Sequence, residues 1–300
     1  MDQRETLEEI ARCLPRALGR TLLQLPGGSV REIRIRSGQR TAVHCTEGVR
    51  YAPPEPTPQQ VQQIAEALCE HALYARAEEQ RSGFVTLRGG HRMGLCGRVI
   101  LQGQSVRALR EISSLCIRVA GQWQGAADRL LPLVLDGEGS LHNALIIGLP
   151  GTGKTTMLRD VCRRVSEAGR RVGVVDERSE IAAMSGGEAQ LAVGPNTDVL
   201  DGCCKEAGLR WMLRSMSPDV LITDELGSAG DVQAVLDAAA AGVCVVSTLH
   251  GSRPEPAPAR GLLAQLVLHN AFEHYVLLDG AQVGQVAQVY DRRLQPVCLL

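Results

Sequence analysis

The pattern of apolar and polar positions changes character part-way along the chain of 300 residues. In the first part, Leu7, Ile10, Leu14, Leu18 and Leu22 recur at helical spacing across residues 5–25. Pro15 breaks or kinks that helix, and Pro26-Gly27-Gly28 ends it. Val30, Ile33 and Ile35 alternate with Arg31, Glu32, Arg34 and Arg36, which predicts a half-buried strand with residues 41–45 as its hairpin partner. Pro53, Pro54, Pro56 and Pro58 make a stiff loop, after which residues 59–74 return to helical spacing. Short strands follow at 84–87, 93–101 and 115–119, with turns at Gly89-Gly90 and Gly103. Residues 1–125 thus read as a small α+β domain, and residues 126–143 as a connection carrying a helix over 126–135.

From Ala144 onward, apolar runs of strand length alternate with longer helical segments. Strands are expected at 144–148, 172–176, 219–223 and 243–247, and helices at 154–168, 204–216, 229–241 and 258–271. That alternation predicts a parallel sheet with helices on both faces over residues 144–300. Strands at 274–278, 283–290 and 294–299 complete the sheet as an antiparallel edge.

The first of these strands runs into Gly148-Leu149-Pro150-Gly151-Thr152-Gly153-Lys154-Thr155, which matches G-x-x-x-x-G-K-[ST] at every fixed position. Glycines let the backbone curl with its N–H groups pointing inward at phosphate oxygens, and the following helix start adds partial positive charge. Residues 148–156, through Thr156, are therefore the expected nucleotide cradle, with Lys154 on the β- and γ-phosphates and the Thr155 hydroxyl on Mg²⁺. Composition sharpens the point. Of 32 basic residues, 30 are Arg and two are Lys. The loop nevertheless holds Lys, as a compact ammonium among phosphates requires.

A second apolar strand, Val220 to Thr223, ends in Asp224 and Glu225. Asp224 is expected to hold Mg²⁺ and Glu225 to polarise the attacking water. Val172 to Val175 also ends in acids, Asp176 and Glu177, and lies in sequence between the phosphate loop and Asp224, the layout of RecA- and AAA-like ATPases. Glu177 is thus a rival catalytic base, or caps the next turn together with Glu180. Thr248 or His250, after the strand at 243–247, is placed to sense a γ-phosphate. Arg214 precedes Asp224 and either binds phosphate or pairs with a surface carboxylate. No N-K-x-D guanine reader occurs, which favours ATP over GTP. The Gly- and Asp-rich span 185–202 reads as a mobile loop beside the site.

Charge and cysteine usage narrow the surroundings. Residues 1–125 hold 17 Arg against 12 acidic residues, and the remainder is correspondingly acidic, for a net charge of −1. Opposite signs suit domains that pack on each other or on neighbouring copies. Aromatics are 3% of the chain, too few for base stacking, so nucleic acid is not an expected partner. Ten cysteines are scattered without C-x-x-C spacing, and Cys203–Cys204 is too close for an ordinary bridge. Free thiols in a reducing cytosol are expected, with a zinc site from distant Cys and His as the alternative. No run of about 18 uncharged apolar residues and no signal peptide is seen, so any membrane association would go through a partner.

Together these residues resemble the stage III sporulation protein AA family of endospore-forming bacteria. The most specific blocks are 148–159, Val175 to Ile181, Thr197 to Asp201 and Leu213 to Glu225, with Gly89 to Gly94 and Ile112 to Arg118 in the first half. More distantly, the second domain is similar to the ring ATPases of type II and type IV secretion and of type IV pili. Asp176-Glu177 falls where their aspartate box lies, and Thr248-Leu249-His250 where their histidine box lies. Those motors usually have Gly before the Walker B Glu, where this chain has Asp224. The resemblance implies a mother-cell ATPase, in the cytoplasm, serving a secretion-like channel between mother cell and forespore. It implies a homo-hexamer working with membrane-embedded channel proteins, in which Arg92, Arg98 and Arg118 are candidates for contacts in trans.

Overall fold

The computed structural model describes residues 3–26, 29–69, 83–103, 105–121, 123–252 and 261–297. The chain divides into two compact units, residues 1–122 with 183–190, and residues 123–182 with 191–300.

In the first unit, Pro15 splits the amphipathic segment into α1 (Gln3–Arg12) and α2 (Arg16–Leu23). All five apolar positions of that stripe are buried against a sheet core containing Ile33, Ile35, Leu115 and Ile117. The strands are β1 (Val30–Arg36), β2 (Thr41–Cys45), β3 (Gly48–Ala52), β4 (Phe84–Thr86), β5 (Arg92–Gln102) and β6 (Ser105–Arg118). They pair throughout as antiparallel neighbours in the order β3-β2-β1-β6-β5-β4. β3 escaped the sequence pattern because four of its five residues are exposed. β6 is longer than expected because Gly103, at φ +64°, lets Gln102 and Ser105 close a hairpin whose polar residues hide the alternation. α3 (Pro58–Leu68) starts at Thr57, whose hydroxyl accepts the Gln60 N–H while Gln60 reaches back, a full capping box. The expected continuation to Tyr74 lies outside the described residues.

Three arginines expected as candidates for contacts with another subunit have partners inside this unit. Arg92 stacks 3.4 Å over the Phe84 ring, Arg98 lies 3.4 Å from Glu111, and Arg118 lies 3.7 Å from Glu32.

In the second unit, β7 (Ala144–Gly148), β8 (Val172–Asp176), β11 (Thr197–Asp201), β12 (Val220–Thr223), β13 (Cys244–His250) and β14 (His274–Leu278) form a parallel sheet. β15 (Val286–Tyr290) and β16 (Pro296–Val297) extend it as an antiparallel edge, giving the order β11-β8-β12-β13-β7-β14-β15-β16. The helices are α4 (Lys154–Glu167), α5 (Lys205–Ser215), α6 (Ala229–Ala240) and α7 (Leu262–Leu268). α5, α6 and α7 bury Leu209, Met212, Val232, Val235 and Leu266 against Leu145, Ile147, Val175, Leu221 and Val245. The alternate strand residues Ile146, Val174, Ile222 and Val246 are equally buried and face the α4 side. The expected helix start at 258 and strand end at 299 lie outside the described residues.

Two expectations change. The span 185–202, read as a loop, contains the hairpin β9 (Met184–Ser185) and β10 (Glu188–Ala189) and the edge strand β11, paired with β8 over five positions. Its short, half-polar alternation is what a one-sided edge strand presents. The helix over 126–135 shrinks to one turn, Leu131–Val134, because Pro132 has no N–H to continue from the preceding turn. Residues 126–143 pack within this unit: Ala127, Leu130 and Val134 are buried, and the Ala127 N–H donates to the buried Asp160 carboxylate at 2.9 Å. No helix among the described residues is long and apolar enough to cross a membrane.

α5 approaches β8 closely through Gly208, where an added Cβ would lie 2.5 Å from Val175 Cγ1. Gly208→Ala removes a helix glycine, a gain of about 0.5–1 kcal/mol. It also forces a stiff strand residue to move, a cost of about 1–3 kcal/mol. Net destabilisation is expected, read as a lower urea midpoint with an unchanged slope.

Candidate functional site

β7 delivers the chain to Gly148, and the loop then turns into α4. Gly151 and Gly153 have φ of +80° and +95°, left-handed values that a side chain resists. Gly148 is crowded instead, since a Cβ there would lie 2.5 Å from Thr152 Oγ1 and 3.3 Å from Leu278 Cβ. The Thr152 hydroxyl donates to the Leu149 carbonyl at 2.8 Å, and the Gly284 N–H donates to the Thr152 carbonyl at 2.9 Å. The loop is therefore closed on itself and backed by the turn before β15.

Lys154 is buried at the first position of α4, and its ammonium donates to the carbonyls of Gly148 at 2.8 Å and Leu149 at 3.1 Å. Burial lowers its pKa, with the Glu225 carboxylate acting in the opposite direction. The N-cap, Gly153, offers no side chain to the first-turn N–H groups of this helix. Those donors and the positive helix end are left for an anion.

The acidic groups stand along the same sheet edge. Asp224, 3% exposed, follows β12 directly. Burial pushes its carboxyl up to about 6, against the Lys205 ammonium and with Asp176 and Glu180 adding to the rise. Its Oδ1 is buried without a hydrogen bond and lies 3.5 Å from Lys205 Nζ. A buried carboxylate oxygen with unused acceptor capacity beside a phosphate loop fits a divalent cation. Thr155 and Asp224 are the residues that could hold Mg²⁺.

Glu225 is exposed, and its backbone N–H donates to Thr248 Oγ1 at 2.8 Å. Thr248, expected as a possible phosphate sensor, thus spends its hydroxyl in fixing Glu225, while Ser247 and Thr223 hydroxyls tie β13 to β12 and β12 to β8. His250 is exposed at the end of β13, in register with Gly148. Arg214 is not brought to this edge. It lies exposed in the last turn of α5, whose first residue, Lys205, is at the site. Nine residues of helix set it about 13 Å away along the axis.

Asp176, not Glu177, is the capping residue. Fully buried, it accepts the N–H groups of Glu180, Ile181 and Ala182 at 2.8–2.9 Å. Arg159 of α4 holds the same turn from outside, donating to the carbonyls of Ile181 at 2.6 Å and Glu180 at 2.5 Å. Burial lowers its guanidinium to about 10. Glu177 is instead ion-paired to Lys205. Lys205 belongs to no spaced motif. The signal was present in the composition, since it is the second of two lysines in a chain of 30 arginines.

The family model of sporulation stage III, protein AA, matches residues 1–297. The chain belongs to that family. It is 40% identical over 296 residues, 95% of each chain, to stage III sporulation protein AA of Bacillus subtilis. It is 31% identical over 154 residues to type II secretion system protein E of Dickeya dadantii, spanning 51% of this chain and 28% of that protein. Among solved structures, the pilus retraction motor PilT with bound ADP superposes with a TM-score of 0.57 at 17% identity, over 83% of this chain and 74% of that one. The fold is accordingly that of the secretion and pilus ATPases, an α/β core preceded by a small α+β domain.

Asp176→Asn keeps size but replaces one acceptor oxygen with a donor facing N–H groups. A loss of about 2–3 kcal/mol in unfolding free energy is expected. Chemical denaturation checks it, and an unchanged midpoint would remove the capping role.

Proposed function

We propose that the chain hydrolyses MgATP, and does so as a homo-hexameric motor or assembly ATPase for the mother cell–forespore channel of endospore formation. One observation carries the catalytic part: a glycine cradle, the Lys154 ammonium and the Asp224-Glu225 pair all sit at one edge of one sheet. Membership of the sporulation family and likeness to secretion system protein E support the setting, with membrane-embedded channel proteins as partners.

The residues divide the work as follows. The N–H groups of residues 151–155, at the loop's end and the α4 start, receive the phosphates, as the first-turn donors have no side-chain cap. Lys154 gives up its bonds to the Gly148 and Leu149 carbonyls and turns to the β- and γ-oxygens. Thr155 and Asp224 would hold Mg²⁺, which when bound would offset the charge on the phosphate oxygens. Glu225, exposed and held by Thr248, orients and polarises the attacking water. Glu177 is not free to take up the attacking water, because its carboxylate is held in an ion pair with Lys205. His250, beside Gly148, senses the γ-phosphate.

Two substitutions test this. Lys154→Ala should weaken MgATP binding by about 100-fold, as two charge-assisted bonds would. Calorimetry reads this, and unchanged affinity would remove the cradle assignment. Glu225→Gln should retain MgATP affinity but lower turnover by about 100- to 10,000-fold, the range for a lost general base. Single-turnover hydrolysis decides, and an active variant would return the base to Glu177.

A further inference from the structure

Lys205 has a position no motif requires. It opens α5, is 5% exposed, and its ammonium contacts Glu177 Oε2 while lying 3.5 Å from Asp224 Oδ1. Glu177 follows the end of β8, and Asp224 follows the end of β12, the neighbouring strand. One side chain therefore spans the ends of two adjacent strands. Gly208, one turn further along α5, lets the helix sit close enough on Val175 of β8 for the ammonium to reach both.

The charge balance explains why a cation is needed there. Asp224 is buried, and its Oδ1 accepts no hydrogen bond there. The three backbone N–H groups and Arg159 belong to Asp176 and its turn. Lys205 is the cation paired with Asp224 among the described residues. Removing one partner from a buried ion pair leaves an uncompensated charge, which is strongly unfavourable.

We propose that Lys205 is a positioning residue of the ATPase site: its ammonium bridges Glu177 and Asp224, holding Asp224 aimed at the metal and Glu177 away from the attacking water, so that Glu225 acts alone as base. This rests on the ATPase reading given above. A compact ammonium suits the role, since it can face two carboxylates from a nearly closed space, where a planar guanidinium would demand one paired geometry.

With only two lysines in the chain, the bridge can be read without any activity measurement. The full chain is treated with formaldehyde and a borohydride, and methylation of Lys154, Lys205 and the N-terminus is followed by mass spectrometry. Lys205 should label at least about tenfold more slowly in the folded chain than in the same chain unfolded in urea, because a paired, buried amine rarely presents a free lone pair. Glu177→Gln should speed its labelling. In parallel, Lys205→Met should lower kcat by about 100-fold, the scale of a misplaced reacting group, while nucleotide affinity stays within about threefold because the cradle is untouched. Glu177→Gln added to Lys205→Met should cost no more than Lys205→Met alone, as expected for residues acting through one contact.

Fast labelling of Lys205 in a chain that hydrolyses ATP overturns the bridge alone. So does a parallel loss of affinity, turnover and melting temperature in Lys205→Met, which is what simple scaffolding would give. A wild-type chain that neither binds nor hydrolyses MgATP overturns the ATPase reading, and the role given to Lys205 with it.

Discussion

The constraint on which the second unit depends is the common direction of its parallel strands. Strands that run the same way end on the same edge, so whatever residue follows each strand is delivered there. Here those residues are Glu177 after β8, Asp224 and Glu225 after β12, and the glycine loop after β7. Register fixes the match in detail. His250 stands opposite Gly148, and Thr223 stands opposite both Ser247 and Val175. A slip by one residue would turn every side chain to the opposite face of the sheet. Hydroxyls at the strand ends guard against that, with Thr223, Ser247 and Thr248 each bonded to the neighbouring strand or its exit.

Gathering carboxylates at one edge creates a second problem, which the structure resolves differently for each group. Asp176 is fully buried, yet three backbone N–H groups meet it. Glu225 stays in solvent, beside the loop lysine. Asp224 has neither solution: it is buried, and its carboxyl rises from 3.8 to about 6. A group kept partly unsatisfied in this way is prepared for a ligand that supplies positive charge.

What could be read in the sequence follows from where the information is local. The glycine loop is legible because its turns are written in consecutive residues, and β7, β8, β12 and β13 because buried parallel strands are continuous apolar runs. The one-face helices of the first unit are legible for the same reason: Leu7 through Leu22 keep a strict stripe, and all are buried. β3 and β11 were missed because edge strands bury little, so their pattern carries little signal. Of the two roles open to Arg214, phosphate binding or a surface carboxylate, its exposed place in the last turn of α5 favours the surface one. A helix antiparallel to the strands carries its last turn away from the edge where it began.

Lysine usage ties these strands together. A chain that fills 30 of 32 basic positions with Arg has replaced lysine wherever a solvated cation suffices. Both remaining lysines are buried, at 8% and 5% exposure, and both stand at the same sheet edge. In the proposed ATPase, Lys154 moves between loop carbonyls and phosphate oxygens, and Lys205 faces two carboxylates from different strands. A rigid fork serves neither task, because its donors are fixed in one plane, while an ammonium on a flexible stem can rotate its three donors to suit. In a strongly biased composition the exceptions carry the chemical information. Here both exceptions stand at the same sheet edge as the glycine loop.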